Sequence, residues 1–347
     1  MTPPTELEPT PARQEGSKPK VRRRILPPPE PPRFAFVGGT GRSGTHVVAK
    51  LINRNSAYQK VPNEARFHVN PMGFPDLLAE RVSLDGFLRE LRGKWWRGHA
   101  ITRPSDEDGF SGRLTQRRGL HRYVPEDRFE AAVTRFGSSF EGDPEAACRE
   151  LYIDLLWPLA EEAGSVGLVE QSCDTVAEAP TLLRLFPEAR FLHAVRDGRD
   201  AAASRVGQAR WLVAPRTMSQ GLRWWEERIR RIDAGIKQIP NKRFLVVSLD
   251  ELSEFRRRRV YRRICRFLAL EQEPPMRRFW RNRITPARAQ RGRWRGGMSD
   301  RRQRLVEEIY DEVLTRLERD EVHCARVLRR NFERRRLRAA QDGGEEA

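Results

Sequence analysis

The chain has 347 residues and carries 66 Lys and Arg against 48 Asp and Glu, a net charge of +18. That length suits one α/β domain of about 250–300 residues with tails. No apolar run approaches the roughly 20 residues needed to cross a bilayer, and the amino-terminal stretch lacks the apolar core of a signal peptide.

The four cysteines, Cys148, Cys173, Cys265 and Cys324, lie far apart and form no C-x-x-C pair. That argues against a zinc site and against a disulfide framework. It predicts reduced thiols in a cytoplasmic protein. The positive excess favours polyanions, including multiply charged nucleotides. Runs such as 256–259 and 334–336 read as exposed helix surface. No aromatic interleaving or nucleic-acid motif accompanies them, so no specific nucleic-acid partner is expected.

In chain order, residues 1–32 are rich in Pro, Glu, Lys and Arg and end in P-P-P-E-P-P. They predict a disordered tail with a stiff extended linker. Residues 34–38 predict a buried strand, and the spacing from Val47 predicts a helix over 44–55. Between them, G-G-T-G-R-S-G-T-H (residues 38–46) makes a strand–loop–helix corner. Such a corner presents unpaired backbone N–H groups and a helix N-terminus, a seat for phosphate or sulfate. A tight turn that uses glycine for positive φ is the plainer alternative.

The loop departs from the nucleotide-triphosphatase pattern G-x-x-x-x-G-K-[ST]. Counting from Gly39, Thr45 stands in the lysine slot and His46 in the magnesium-ligand slot. A cation appears instead at Arg42. This predicts an anionic nucleotide whose transferred group needs no metal.

A short strand is expected near 57–61. The segment 70–164 reads as an insertion with helices over 83–93, 126–136 and 144–163. Its polar, glycine-rich stretch 97–122 reads as a long loop of the kind that often binds substrate. Trp95–Trp96 and Trp224–Trp225 could line an acceptor cleft, although such pairs more often pack. Strand 166–170, helix 175–186 and strand 190–195 follow. The last runs into R-D-G-R-D-A-A-A-S, with Arg196 at the strand end and Ser204 eight residues on. A guanidinium and a hydroxyl so spaced can grip one further phosphate. Helices over 198–209 and 217–238, a strand over 243–248, and helices near 256–268 and 299–335 complete a domain spanning 33–335. Residues 336–347 read as a disordered tail. Alternation of apolar strands with helices predicts an α/β fold, a P-loop-like three-layer arrangement with a mostly parallel sheet covered on both faces.

G-T-G-R-S-G-T followed by F-L-H-A-V-R-D-G-R-D-A-A-A-S resembles the two signatures of sulfotransferases that use 3′-phosphoadenosine 5′-phosphosulfate (PAPS). The resemblance spans roughly residues 33–294 and is dense only at these motifs. It implies that Arg42, Ser43, Gly44 and Thr45 hold the 5′-phosphosulfate, with Gly41 and His46 as further nucleotide-binding residues of the loop, His46 capping or packing it rather than doing chemistry. Arg196 and Ser204 would hold the 3′-phosphate. Glu64-Ala-Arg66 resembles the E-x-R of the tyrosyl-protein branch, which makes Glu64 the expected acceptor base, with His68 and His99 the next candidates. Gly292-Arg-Trp294-Arg295 resembles a late segment that closes over the nucleotide, so Trp294 and Arg295 are expected to contact it. Residues 244–252 resemble a further strand and turn of the family.

Gln171 stands where relatives carry a lysine near the transferring group. The implied activity is sulfuryl transfer from PAPS, without a metal, to a hydroxyl acceptor: a carbohydrate, lipid, small metabolite or protein tyrosine. Arg42 would stabilise the developing charge. His193 is expected to be a core residue. A P-loop kinase or hydrolase, or a catalytically weak nucleotide- or polyanion-binding protein on the same scaffold, is the alternative.

Overall fold

The computed structural model describes residues 33–104, 113–208 and 215–344. The expected tail over 1–32 lies outside the described residues. The elements are β1 (Arg33–Gly39), α1 (Thr45–Ile52), β2 (Tyr58–Lys60), α2 (Phe74–Leu78), α3 (Leu84–Glu90), β3 (His99–Pro104) and β4 (Arg113–Arg118). Next come α4 (Glu126–Ser139), α5 (Pro144–Leu156), α6 (Pro158–Glu162), β5 (Gly167–Glu170), α7 (Ala179–Leu185), β6 (Arg190–Val195) and α8 (Gly198–Val206). The chain then forms α9 (Met218–Ile236), β7 (Phe244–Ser248), α10 (Arg257–Phe267), α11 (Pro274–Arg283), α12 (Asp300–Arg319) and α13 (Ala325–Gly344).

Five strands pair in the order β2-β5-β1-β6-β7, every pairing parallel. Because side chains alternate along a strand, Phe34 and Phe36 enter one core and Ala35 and Val37 the other. On the first face the two phenylalanines meet Tyr152 of α5 and Phe186 after α7, with the Phe34 and Phe186 rings 4.6 Å apart. On the second face Leu192, Ala194 and Val247 join α1 and α10 through Val48, Leu51 and Ile264. The fold is the expected three-layer α/β arrangement. His193 is buried on β6, and burial lowers its imidazole to about 3, so it is a neutral core group.

Several local expectations are corrected. The stretch 97–122 is not a structureless loop. It holds the antiparallel hairpin β3–β4, in which His99 pairs with Arg118 and Thr102 with Thr115. Arginines interrupt its apolar alternation and hide the strand signal. Pro158 splits the helix expected over 144–163 into α5 and α6, since its ring cannot continue a helix hydrogen-bonded from before it. The helix expected over 299–335 is two, broken at residues 320–324, where Glu321 has φ of 50°. Asp233 accepts from the backbone N–H and the Nδ1 of His323 there, which holds the turn.

The chain stays helical through Gly344, so 336–344 is not a loose tail. Arg338 on it is anchored to Glu254, and Arg335 is largely buried rather than part of an exposed run.

Strand order reverses at β1. The chain leaves β1 for β2 on one side, returns through β5, and crosses to β6 on the other. The loops after β1 and β6 therefore leave the carboxyl edge side by side, the place where open α/β sheets bind ligands. A Cβ on Gly38 would come within 2.7 Å of Thr175 Oγ1 and of the Val176 N–H nitrogen. Gly38→Ala is therefore expected to lower stability by about 1–3 kcal/mol, read as a lower urea midpoint. An unchanged midpoint would show that the turn at 173–176 yields without cost.

Candidate active site

After β1 the backbone turns through Gly41 (φ 80°), Arg42 (φ 61°) and Gly44 (φ 95°) before entering α1. Glycine adopts that left-handed region without strain. Gly44 caps α1 with no side-chain acceptor, and no acidic residue lies in the first turn. The first N–H groups of the helix thus face the loop with their positive end unopposed. Ser43 Oγ is buried beside them without a partner.

The segment after β6 folds onto this loop. Arg42 Nε donates to Ser204 Oγ at 2.9 Å, and Arg196 Nη1 donates to the Arg42 carbonyl at 3.4 Å. Arg196 Nη2 donates to the Ala289 and Gln290 carbonyls at 2.7 and 2.8 Å, and its Nε is buried and unpartnered. A cleft of about 240 Å³ opens between these segments, lined by Arg42, Gly44, Thr45, His46, Arg196 and Arg288 among others. The orphaned donors of Ser43 and Arg196, together with the uncapped helix end, suit a phosphate-bearing nucleotide.

Arg283 and Arg288 also wall the cleft. Sequence reasoning missed them, because nothing in the arginine-rich run 281–295 distinguishes the inward side chains. Trp294 and Arg295 are not brought to this cleft; they line another one.

Glu64 lies on the loop after β2. Its Oε2 accepts from Arg66 Nε at 2.8 Å and Nη2 at 2.5 Å, and its Oε1 is 3.6 Å from His46 Nε2. Cys173 Sγ stands 3.9 Å from Glu64 Oε1 and 3.8 Å from where a Cβ on Gly41 would be, so one thiol separates Glu64 from the loop. Burial pushes that thiol up to about 12, which leaves it protonated and unreactive. A second cleft of about 190 Å³ is lined by His46, Glu64, Arg66, Lys94, Trp95 and Arg118. His46 borders both clefts. Partial burial lowers its pKa despite the opposing charge of Glu64, so the ring is neutral near pH 7.

Trp95 both packs and lines the second cleft, while Trp96 stacks on Phe129 and Trp225 is buried. Lys94 and Arg118 had no sequence signal beyond their neighbourhood to the tryptophan pair and the hairpin.

A buried carboxylate sets the Glu64 loop. Glu170, at the end of β5, accepts from Ala65 N at 3.1 Å and Ser172 Oγ at 2.7 Å through one oxygen. Its other oxygen takes Ser172 N at 2.8 Å and His68 Nε2 at 3.1 Å. Ser172 Oγ also accepts from Arg66 N at 3.1 Å. The two residues after Glu64 are thereby pinned by their backbone. His68 is wholly buried in this clamp, which removes it as an alternative base. His99 lies on β3, and its side chain is outside the described part of the structure.

Gln171 is also wholly buried, and both polar atoms of its amide lack partners. Lys60, unforeseen from sequence, ends β2 with its amine donating to the Val61 and Pro62 carbonyls at 2.5 and 2.9 Å. Burial, against the charge of Glu170, lowers that amine to about 8.

Burial alone would raise the pKa of Glu170. The His68 charge and the bonds from His68 and Ser172 outweigh it and hold the carboxyl below its usual range. Its contribution is therefore full above the unfolded pKa of about 4.3 and is lost as pH falls through the lower folded value. Glu170→Gln is expected to cost about 3–5 kcal/mol at neutral pH and to flatten the loss of stability below about pH 4.3. Equal acid slopes in denaturant titrations of the two proteins would mean that the clamp is not ionised.

Among the described residues, no group of three or more His, Cys, Asp and Glu side chains could hold a metal ion, and no helix is long and apolar enough to cross a membrane. Several solved structures are similar to the chain. The sulfotransferase domain of the Synechococcus PCC 7002 olefin synthase is 16% identical, with 84% of this chain and 97% of that one covered and a TM-score of 0.48. A sulfotransferase from Mycobacterium avium is 16% identical over 82% of this chain and 76% of its own, with a TM-score of 0.42. The sulfotransferase domain of the curacin biosynthetic pathway is 15% identical over 73% and 77%, also at 0.42. No curated protein sequence matches the chain. The model of the sulfotransferase family matches residues 34–274, well over half of the sequence, and the chain belongs to that family.

Proposed function

We propose that the protein transfers a sulfuryl group from PAPS to a hydroxyl acceptor by in-line displacement, with no metal. The observation that carries the reading is the Arg42–Ser204 bond, which joins the two motif segments 162 residues apart, with Arg42 of one and Arg196 of the other lining one cleft. PAPS, when bound, supplies an activated sulfuryl group on a phosphate leaving group.

Gly41, Arg42, Ser43, Gly44, Thr45 and His46, with the N-terminus of α1, would hold the 5′ end of the donor. Arg196 and Ser204 would hold the 3′-phosphate, whose oxygens replace the carbonyls that Arg196 now serves. The work is positioning and electrostatics, as for a loose phosphoryl transfer. Arg42 and the loop N–H groups stabilise charge that builds on the bridging oxygen. Arg283 and Arg288 add positive charge to the same cleft. That supply bears on Gln171, which cannot neutralise charge as a lysine would.

The acceptor would enter the second cleft, where Glu64 receives its proton. Arg66 orients that carboxylate through two hydrogen bonds. Lys94, Trp95 and Arg118 come to this cleft from the segment 70–164, which supports an acceptor-side role for it. A carbohydrate, lipid, small metabolite or protein tyrosine fits this reading. Four unpaired cysteines accord with a cytoplasmic location.

Glu64→Gln is expected to lower turnover by about 10²–10⁴-fold and to leave nucleotide affinity unchanged. Full turnover in this variant would place the base elsewhere. Arg196→Ala is expected to weaken binding of adenosine 3′,5′-bisphosphate far more than of adenosine 5′-phosphate; equal losses for the two ligands would refute the 3′-phosphate role. Normal nucleotide affinity with no transfer to a broad hydroxyl panel would favour the binding-protein alternative.

A further inference from the structure

A third cleft, of about 270 Å³, shares no lining residue with the donor cleft or with the cleft around Glu64. Five guanidinium groups meet there: Arg199 from α8, Arg291 and Arg295 from the loop before α12, and Arg335 and Arg338 from α13. Glu254 is the acidic residue of the lining. The indole of Trp294 forms part of the wall, with the Arg199 guanidinium 4.8 Å and that of Arg295 5.1 Å from its ring centre. Stacking of this kind holds a guanidinium plane in place before any ligand arrives.

Three of the five carboxylates that answer these arginines are shared between two of them. Arg335 is answered by Asp197 and Asp200 at 2.7 and 3.3 Å and by Asp250, and Arg199 by Asp197 at 2.7 Å. That leaves Arg291, Arg295 and Arg338 with two carboxylates. Glu254 serves both Arg291 and Arg338. Glu307 serves Arg295 at 3.1 Å and is shared with Arg199, also at 3.1 Å. The Nε atoms of Arg291 and Arg335 are buried and have no acceptor. Each guanidinium carries five N–H donors, and the five carboxylates of this corner leave those two Nε donors untaken.

The geometry points to a second anion site, distinct from the donor cleft, that takes a phosphate-type oxyanion on Arg291, Arg295 and Arg338. Burial and the like charges of Arg335 and Arg338 lower the pKa of Arg291, against the charges of Asp250 and Asp200. Tetrahedral oxyanions match forked guanidinium donors, and the cleft is roomy enough for a diphosphate. Glu254 now stands in as the internal anion for two of the three arginines.

Isothermal titration with the full chain tests the site. Adenosine 3′,5′-bisphosphate is added first to fill the donor cleft, and inorganic pyrophosphate is then titrated in. The expected result is one further binding event, weakened at least tenfold in Arg291→Ala/Arg338→Ala, with bisphosphate affinity unchanged in that variant. Arg295→Ala, which removes one exposed side chain, is expected to weaken the same event and guards against a folding defect in the double variant. Parallel arms with inorganic phosphate and ATP separate a free anion from a nucleotide's phosphates as the source. No further heat, heat unchanged in both variants, or binding only at tens of millimolar, an adventitious ion only, would each overturn the assignment. If the bisphosphate itself fails to bind, the donor reading falls, while the variants still decide the pyrophosphate site.

Discussion

The reversal of strand order beside β1 is the constraint from which the site follows. It places the exits of β1 and β6 next to each other, so a glycine-rich loop and an arginine separated by over 150 residues share one cleft. The Arg42–Ser204 bond and the Arg196 bond to the Arg42 carbonyl are the visible result. Everything else at the carboxyl edge is arranged around that meeting. The Glu170 clamp brings Glu64 to the neighbouring cleft, α11 and the loop beyond it supply Arg283 and Arg288, and α8 carries Ser204.

Charge is used twice in this chain, inside as well as outside. The net excess of +18 suggests a coat of solvated arginine, and the exposed faces of α10 and α11 agree with that. Yet Arg199 and Arg335 are buried among Asp197, Asp200 and Asp250, and Arg257 donates to three carbonyls at the end of α11. Buried ion pairs add little net stability against an apolar alternative. What they do here is orient: Asp200 lies 3.8 Å from Arg196 and accepts from the Gly292 N–H at 3.2 Å. Arg196, which lines the cleft after β1, and the loop beside it are thus held by one carboxylate.

Much of the fold was legible because its signals are local. Four of the five central strands are apolar runs, and the loops that follow β1 and β6 are motifs that one short window contains. The hairpin β3–β4 was not legible, because arginines at 103, 113, 117 and 118 break the alternation that marks a strand. The turn after β1 could be read from Gly41, Arg42 and Gly44, which have positive φ values. The Glu170 clamp could not, since a glutamate ending an apolar strand looks the same whether it meets solvent or four hydrogen bonds. Trp294 shows the opposite failure: a motif carried it toward the nucleotide, while packing against Arg199 and the third cleft set its place.

The helix α13 ties distant parts of the sequence to one buried corner. Arg335 reaches back to three carboxylates that follow β6 and β7 in the chain, all almost fully shielded from water. Without Arg335 those acids would keep only Arg199 and Arg196 as ion-pair partners among the described residues, and leaving buried charge unpaired is strongly unfavourable. The corner that holds Arg196 therefore depends on a cation supplied 138 and 135 residues further along the chain than the two acids beside it.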